Sequence, residues 1–278
     1  MMKCSFVSAK YLRVGLTRLV TLCVLGLTMS PGLADDPIEV RVLSYNIHHG
    51  EGVDRKIDLA RIARVVASVN ADIVALQEVD QNVKRSGGVD QPAELAKLTA
   101  MSVVFGGNIS LQDGHYGNAI LSRWPIAEHV NRLLPNLNSG EQRGVIQAYV
   151  QTPITKTPLM ILATHFDHRS DGSERFASAQ AINELVMKHP QSPAILAGDL
   201  NDGPDSKTLL ELKRHWTASS EKPMPTIPVA KPTKQIDFVL FHPKERWSVH
   251  ETTVLDEAVA SDHRAILTVL RFQEEQKQ

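Results

Sequence analysis

Apolar and polar residues alternate along "IEVRVLSYN" (38–46), which predicts a strand with Val40, Val42 and Ser44 on one side and Arg41, Leu43 and Tyr45 on the other. The period then changes. In "DLARIARVVASVN", Leu59, Ile62, Ala63 and Val66 recur at helical spacing, and Asp58 stands where an N-cap belongs. The apolar run "DIVALQE" has strand length and stops at Gln77 and Glu78. Strand, helix and strand in succession is the alternation of a layered α/β protein. The theme continues with a helix in "AELAKLTAM", strands in "NAILSRW", "VIQAYVQT" and "PLMILATH", and a long helix in "SERFASAQAINELVMKH". A buried strand follows in "PAILAGD", then three more in "QIDFVLF", "WSVHETTVL" and "AILTVLRF". The stretch "EKPMPTIPVAKPTKQ" reads as a surface loop, because its prolines continue neither a helix nor a central strand. With no internal repeat and no interior linker, one domain is expected.

The first residues follow a different pattern. Lys3, Lys10, Arg13 and Arg18 precede the apolar run "LVTLCVLGLTM", and "GLA" ends it, with no acidic residue before Asp35. That order predicts a secretory signal peptide spanning 1–34 and a catalytic domain spanning 35–278, in a secreted or periplasmic protein. The run is too short to span about 30 Å of hydrocarbon, so no transmembrane segment is expected in the mature chain. Both cysteines, Cys4 and Cys23, fall within the leader, which removes disulfides and a thiolate nucleophile from the mature protein. The formal charge of −1 becomes about −5 without the four leader cations, so nucleic acid is a possible but not favoured partner.

Chemistry-bearing side chains gather where the apolar runs end. Asn46 follows "VLSY", Glu78 follows "VALQ", His165 follows "ILAT", and Asp199 with Asn201 follows "ILAG". Asp237 lies in "QIDFVL", and Asp262 with His263 precedes "RAILTVL". A lone Asn or Asp at such a place most often caps a turn, and a lone His is most often a satisfied one. Six strand edges carrying such groups argue instead for one rim, since strand ends of an α/β sheet can converge there. If the backbone stays extended, Asp199 and Asn201 point to the same side. Hard oxygen ligands with few imidazoles suit Mg2+, or Mn2+ or Ca2+, better than a thiolate zinc site.

Seven segments, "LSYNIHHG", "VALQEVD", "YGNAILSR", "ATHFDHR", "AGDLND", "QIDFVLF" and "SDHRAIL", occur in the order and spacing of the endonuclease/exonuclease/phosphatase superfamily, which the chain resembles over residues 38–271. The resemblance implies a four-layered α/β sandwich of the DNase I-like kind, with two central, mainly antiparallel sheets flanked by helices. It implies a metal held by Glu78, Asn46 and Asp262, with Asp199 as general base and Asn201 orienting water or a phosphate oxygen. His263 resembles the histidine on the phosphate oxyanion, held by Asp237, and His165 a second phosphate donor. Asn118 would support the site from behind. Many nuclease members carry an acidic residue two positions after the first Asn, and His48 stands there in this chain. His48 is expected to donate to phosphate or line the rim, ahead of ligating a metal. Arg85, Arg143 and Arg169 are the candidate substrate phosphate contacts.

The expected reaction is metal-dependent hydrolysis of a phosphodiester or phosphomonoester by a monomeric enzyme. A small or lipid-derived ester, with contact to lipid headgroups, is preferred over an extracellular or periplasmic nuclease role. Two readings stand beside it. "THFDH" superficially resembles the metal motif of metallo-β-lactamase-like zinc hydrolases, but Phe166 occupies the place of a needed His. The other is a catalytically silent binding protein on the same scaffold.

Overall fold

The computed structural model describes residues 39–137 and 139–273; the expected leader at 1–34 lies outside them. Twelve strands and four α-helices run in the order β1 (Glu39–Asn46), α1 (Leu59–Ser68), β2 (Ile73–Gln81), α2 (Gln91–Thr99), β3 (Ser102–Leu111), β4 (Gly114–Ser122), β5 (Ile126–Leu133) and β6 (Gly144–Val150). The second half continues with β7 (Leu159–His165), α3 (Ser173–Met187), β8 (Ala194–Asp199), α4 (Lys207–Leu212), β9 (Thr217–Ala218), β10 (Asp237–His242), β11 (Trp247–Val254) and β12 (Ile266–Phe272). One six-stranded sheet has the order β11-β12-β1-β2-β4-β3 and the other β5-β6-β7-β8-β10-β9. Each contains one parallel pair, β1 with β2 and β7 with β8, and all other pairings are antiparallel. This is the mainly antiparallel pair of sheets expected.

The alternation in β1 accounts for the layering. Val40 and Val42 enter a core shared with Ile146, Ile161, Ile195 and Val239 of the other sheet. Leu43 and Tyr45, one step out of phase, pack with Leu59, Ile62 and Val66 of α1. A third cluster seats Ile182 and Val186 of α3 and Leu209 of α4 on Leu162 and Leu196. Helices, sheet, sheet and helices therefore form four layers around three apolar interfaces. The caps are local: Asp58 accepts from the amide of Arg61, and Asp90 does the same for α2 from Ala93. α3 differs from these two, for its N-cap is Gly172 and no side chain caps it.

Several positions differ from the sequence reading, α4 and β9 among them. β2 does not stop at Glu78; it continues to Gln81 through a bulge between Leu76 and Val79. β3 and β5 went unread, since one carries Gly106 and Gly107 and the other is a largely exposed edge strand without an apolar face. The proline-rich segment is more than a surface loop, because Thr226 and Val229 within it are buried.

Candidate active site

The two parallel pairs each end in a site residue, so Asn46 of β1 and His165 and Asp199 of β7 and β8 leave the carboxyl ends of central strands together. Glu78 arrives differently. Its φ of 58° is left-handed and falls in the β2 bulge, a local irregularity that re-aims a side chain out of the ladder. Asp237 opens β10 directly opposite Asp199 in the antiparallel register, and His263 lies three residues before β12. The result is a cavity of about 540 Å³ between the ends of both sheets.

At its floor the contacts run through Asn46, which is fully buried. Its amide nitrogen donates to Glu78 Oε1 at 3.0 Å and to Asp199 Oδ2 at 3.1 Å, and its Oδ1 accepts the His48 amide at 3.0 Å. Asp199 does not reach Asn201 by extended alternation. The strand ends at Asp199, Asn201 is left-handed with φ 50°, and its amide folds back onto Asp199 Oδ1 at 2.9 Å. The turn, rather than the pleat, brings the two side chains together. Asn201 Nδ2 then donates to Phe166 O and abuts His165 Nε2, each at 3.0 Å.

The electrostatics sort these groups into roles. Burial, with repulsion from Asp237, raises the Asp199 carboxyl to about 7 against the opposing pull of His263 and two hydrogen bonds. For His263, burial pushes the imidazole down, yet the charge and hydrogen bond of Asp237 with the charges of Asp199 and Asp262 prevail and raise it to about 10. His263 Nδ1 donates to Asp237 Oδ2 at 2.9 Å, the same oxygen that Thr226 donates to at 2.5 Å, and its Nε2 lies 3.8 Å from Asp199 Oδ2. His165 is driven the other way, by burial and then by the cation of Arg143. Arg143 Nη1 lies 3.2 Å from Nδ1 of His165 and Asn201 Nδ2 3.0 Å from its Nε2; both can only donate, so the neutral ring accepts from one of them. The ring is neutral, and its Nε2 also lies 3.4 Å from Asp199 Oδ2.

Not every candidate reaches the cavity. Arg143 and Arg85 line it, the first almost wholly buried between His165 and His168 and the second held by Asp80 through two bonds of 2.9 and 2.8 Å. Arg169 does not line it: Asp167 and Glu174 take its guanidinium, tying down the start of α3. Asn118 lies beneath, donating to Gly144 O across the two sheets at 3.1 Å. Asp262 is exposed on the cavity wall, and His48 lines the wall near Glu78. Glu141, Tyr116, His168, Ile109 and Leu111 complete the lining without having been singled out for it. His168 stood in the quoted "ATHFDHR" segment, so its signal was present but weighed only for zinc; the apolar pair comes from the unread β3.

A hard cation suits the donors present. Glu78 is half-buried, accepts from Asn46, and forms no ion pair among the described residues. With the carboxylates of Asp199 and Asp262 on the same cavity, the oxygen donors are of the kind a hard dication takes.

A two-sheet sandwich with an acid, an imidazolium and a carboxylate-rich wall at one rim is the architecture of a phosphoric ester hydrolase. Residues 43–263 match the model of the Endonuclease/Exonuclease/phosphatase family, and the chain belongs to that family of metal-dependent hydrolases. It is 30% identical over 211 residues to the uncharacterized protein YbhP of Escherichia coli, an alignment covering 71% of this chain and 82% of that protein. An endonuclease/exonuclease/phosphatase of Beutenbergia cavernae superposes with a TM-score of 0.70 at 25% identity, over 84% of this chain and 72% of the other. A mannosyl-6-phosphatase of Bacteroides thetaiotaomicron shares the fold with a TM-score of 0.70 at 20% identity, over 84% of this chain and all (100%) of its own.

Proposed function

We propose that this protein is an exported, divalent-metal-dependent phosphoesterase that hydrolyses a phosphodiester or phosphomonoester of a small or lipid-derived molecule by in-line attack of water on phosphorus. The observation that carries the reading is the open cavity of about 540 Å³ lined by Asp199, His263, Arg143 and Arg85. That volume suits a compact ligand.

In this reading Asp199 takes the proton from the attacking water, since a carboxyl raised to about 7 is matched to general-base work near neutrality. Asn201, fixed by Phe166 O, orients that water or a phosphate oxygen. His263, kept cationic by Asp237, faces the non-bridging oxygens on which charge develops. His165 lines the cavity beside those oxygens as a second contact, and burial with the cation of Arg143 keeps that ring neutral while Arg143 contributes its own charge to the wall. Glu78 and Asn46, with Asp262, would hold the cation, which when bound neutralises charge on the phosphate oxygens.

Duplex nucleic acid fits less well. Among the described residues no lysine lines the cavity, Arg85 and Arg169 already hold carboxylates, and gripping a duplex takes several phosphate contacts in a row. The test is a substrate panel with Mg2+, with and without chelator: sugar phosphates, of the kind the mannosyl-6-phosphatase name suggests, lipid headgroup diesters, plasmid DNA and RNA. Chelator-sensitive turnover of the small or headgroup esters is expected. Rapid degradation of plasmid or RNA with no turnover of the esters would make the enzyme a nuclease instead. Export is tested by the N-terminal residue of the mature protein, expected just after Ala34.

A further inference from the structure

The loop after β1 holds a group of donors that the proposed mechanism does not use. His48, His49 and Gly50 have successive left-handed φ values of 46°, 44° and 79°. Such a backbone is costly for two residues with side chains, and it is pinned by Gly50 N to Ile47 O, Glu51 N to His48 O, and Gln91 Nε2 to His49 O at 2.7 Å. The consequence is that His48, His49 and Glu78 each present one ligand atom, all within 4.8 Å of one another. The two rings meet edge to face with centroids 4.5 Å apart.

Glu51 meets both imidazoles, one by a hydrogen bond and the other by charge. Its backbone oxygen lies 3.2 Å from His48 Nδ1, and since a carbonyl only accepts, Nδ1 carries the proton and Nε2 keeps its lone pair. Its carboxylate lies 3.7 Å from His49 Nε2, and His49 Nδ1 is buried without any hydrogen-bond partner. A ring nitrogen held by a carbonyl or carboxylate, with the opposite nitrogen free, is the arrangement by which proteins prepare a histidine for a metal. A buried unsatisfied nitrogen is otherwise a cost to the folded chain.

We propose that His48, His49 and Glu78, with Glu51 beside the rings, form a nitrogen-rich cation site that prefers a borderline transition-metal dication, Zn2+ above Mn2+, over Mg2+. Two imidazoles and one carboxylate suit such ions and leave coordination positions open to water or a phosphate oxygen. The inference rests on the reading of Glu78 as a metal ligand and goes further by adding the two imidazoles to it.

Calorimetric titration of Zn2+, Mn2+ and Mg2+ into the chelator-stripped full chain tests it. Zn2+ is expected to bind most tightly and Mg2+ most weakly. His49→Ala and Glu51→Gln, each checked for native circular dichroism and melting, should weaken Zn2+ by at least ~10-fold and leave Mg2+ unchanged. Equal Zn2+ affinity in the unmutated chain and His49→Ala, or Mg2+ binding as tight as Zn2+, overturns the proposal. X-ray absorption at the zinc edge of the unmutated, zinc-loaded chain needs no variant. Two imidazoles in the zinc shell support the site; none, or the single one that Asp199, Asp237 and His263 would supply, overturns it. Hydrolysis in Mg2+ is read separately, so loss of this site and failure of the proposed function are distinguishable.

Discussion

In the proposed mechanism Asp199 takes the proton from water, and its surroundings set the pH at which it can do so. It must be ionised to accept a proton, so kcat/KM should rise with pH along a limb at or below about 7, a bound dication only lowering that limb further. His263 must stay protonated, so activity should fall again near pH 10. A pH profile of kcat/KM checks both, and a rising limb above pH 8 would contradict the assignment. The same shifts bear on stability. Both groups hold their proton more tightly folded than unfolded. Asp199's contribution is full below its ordinary 3.8 and is lost as pH rises through 7; His263's is full below 6.5 and is lost through 10. The chelator-treated protein should therefore melt progressively lower from pH 5 to pH 10. Asp199→Asn should remove the acid half of that decline, and an unchanged slope in this variant by calorimetry would argue against the buried carboxylate as its cause.

Single elements explain why the site residues arrive where they do. β8 is "AILAGD", and Gly198 is there because β7 passes so closely that a β-carbon would collide with the backbone oxygen of Thr164. Gly198→Ala should destabilise the fold by about 1–3 kcal/mol, measured by denaturant unfolding, and displace Asp199 with it; a variant as stable as the parent would show that the strands can separate. The central strands were legible because both of their faces are buried and their apolar content is dense. β1 was read to the correct face at every position, since the phase difference between Val42 and Leu43 is the phase difference between two cores. The edge strands β3 and β5 were not, because exposure removes the alternation that sequence reading depends on. The positive φ at Glu78 and Asn201 was equally hidden. Both residue types were noticed as chemistry, but a bulge and a turn are imposed by tertiary register and leave no periodic trace.

Across the whole molecule, a site assembled from β1, β2, β7, β8, β10 and the segment before β12 exists only when both sheets are packed. Residues 46 and 263 are far apart in sequence, yet Ser261 donates to Asn46 O at 2.7 Å and binds the last loop to the first strand. Among the described residues no helix is long and apolar enough to cross a membrane, and the chemistry is that of the chain between β1 and β12. The polar residues at the ends of the apolar runs are neighbours around this cavity. The sequence did not reveal which arginines face the rim: Arg143 and Arg169 look alike in sequence, but only the first borders the cavity, because Asp167 and Glu174 claim the second.

Removing metal should abolish activity and, by withdrawing a ligand that binds only the folded state, lower the melting temperature. The most direct test is the kcat/KM of Asp199→Ala against the parent on whichever phosphate ester is turned over best, in saturating metal and with native circular dichroism verified. A loss of at least ~10²-fold is expected for a general base. Turnover close to that of the parent would contradict the account.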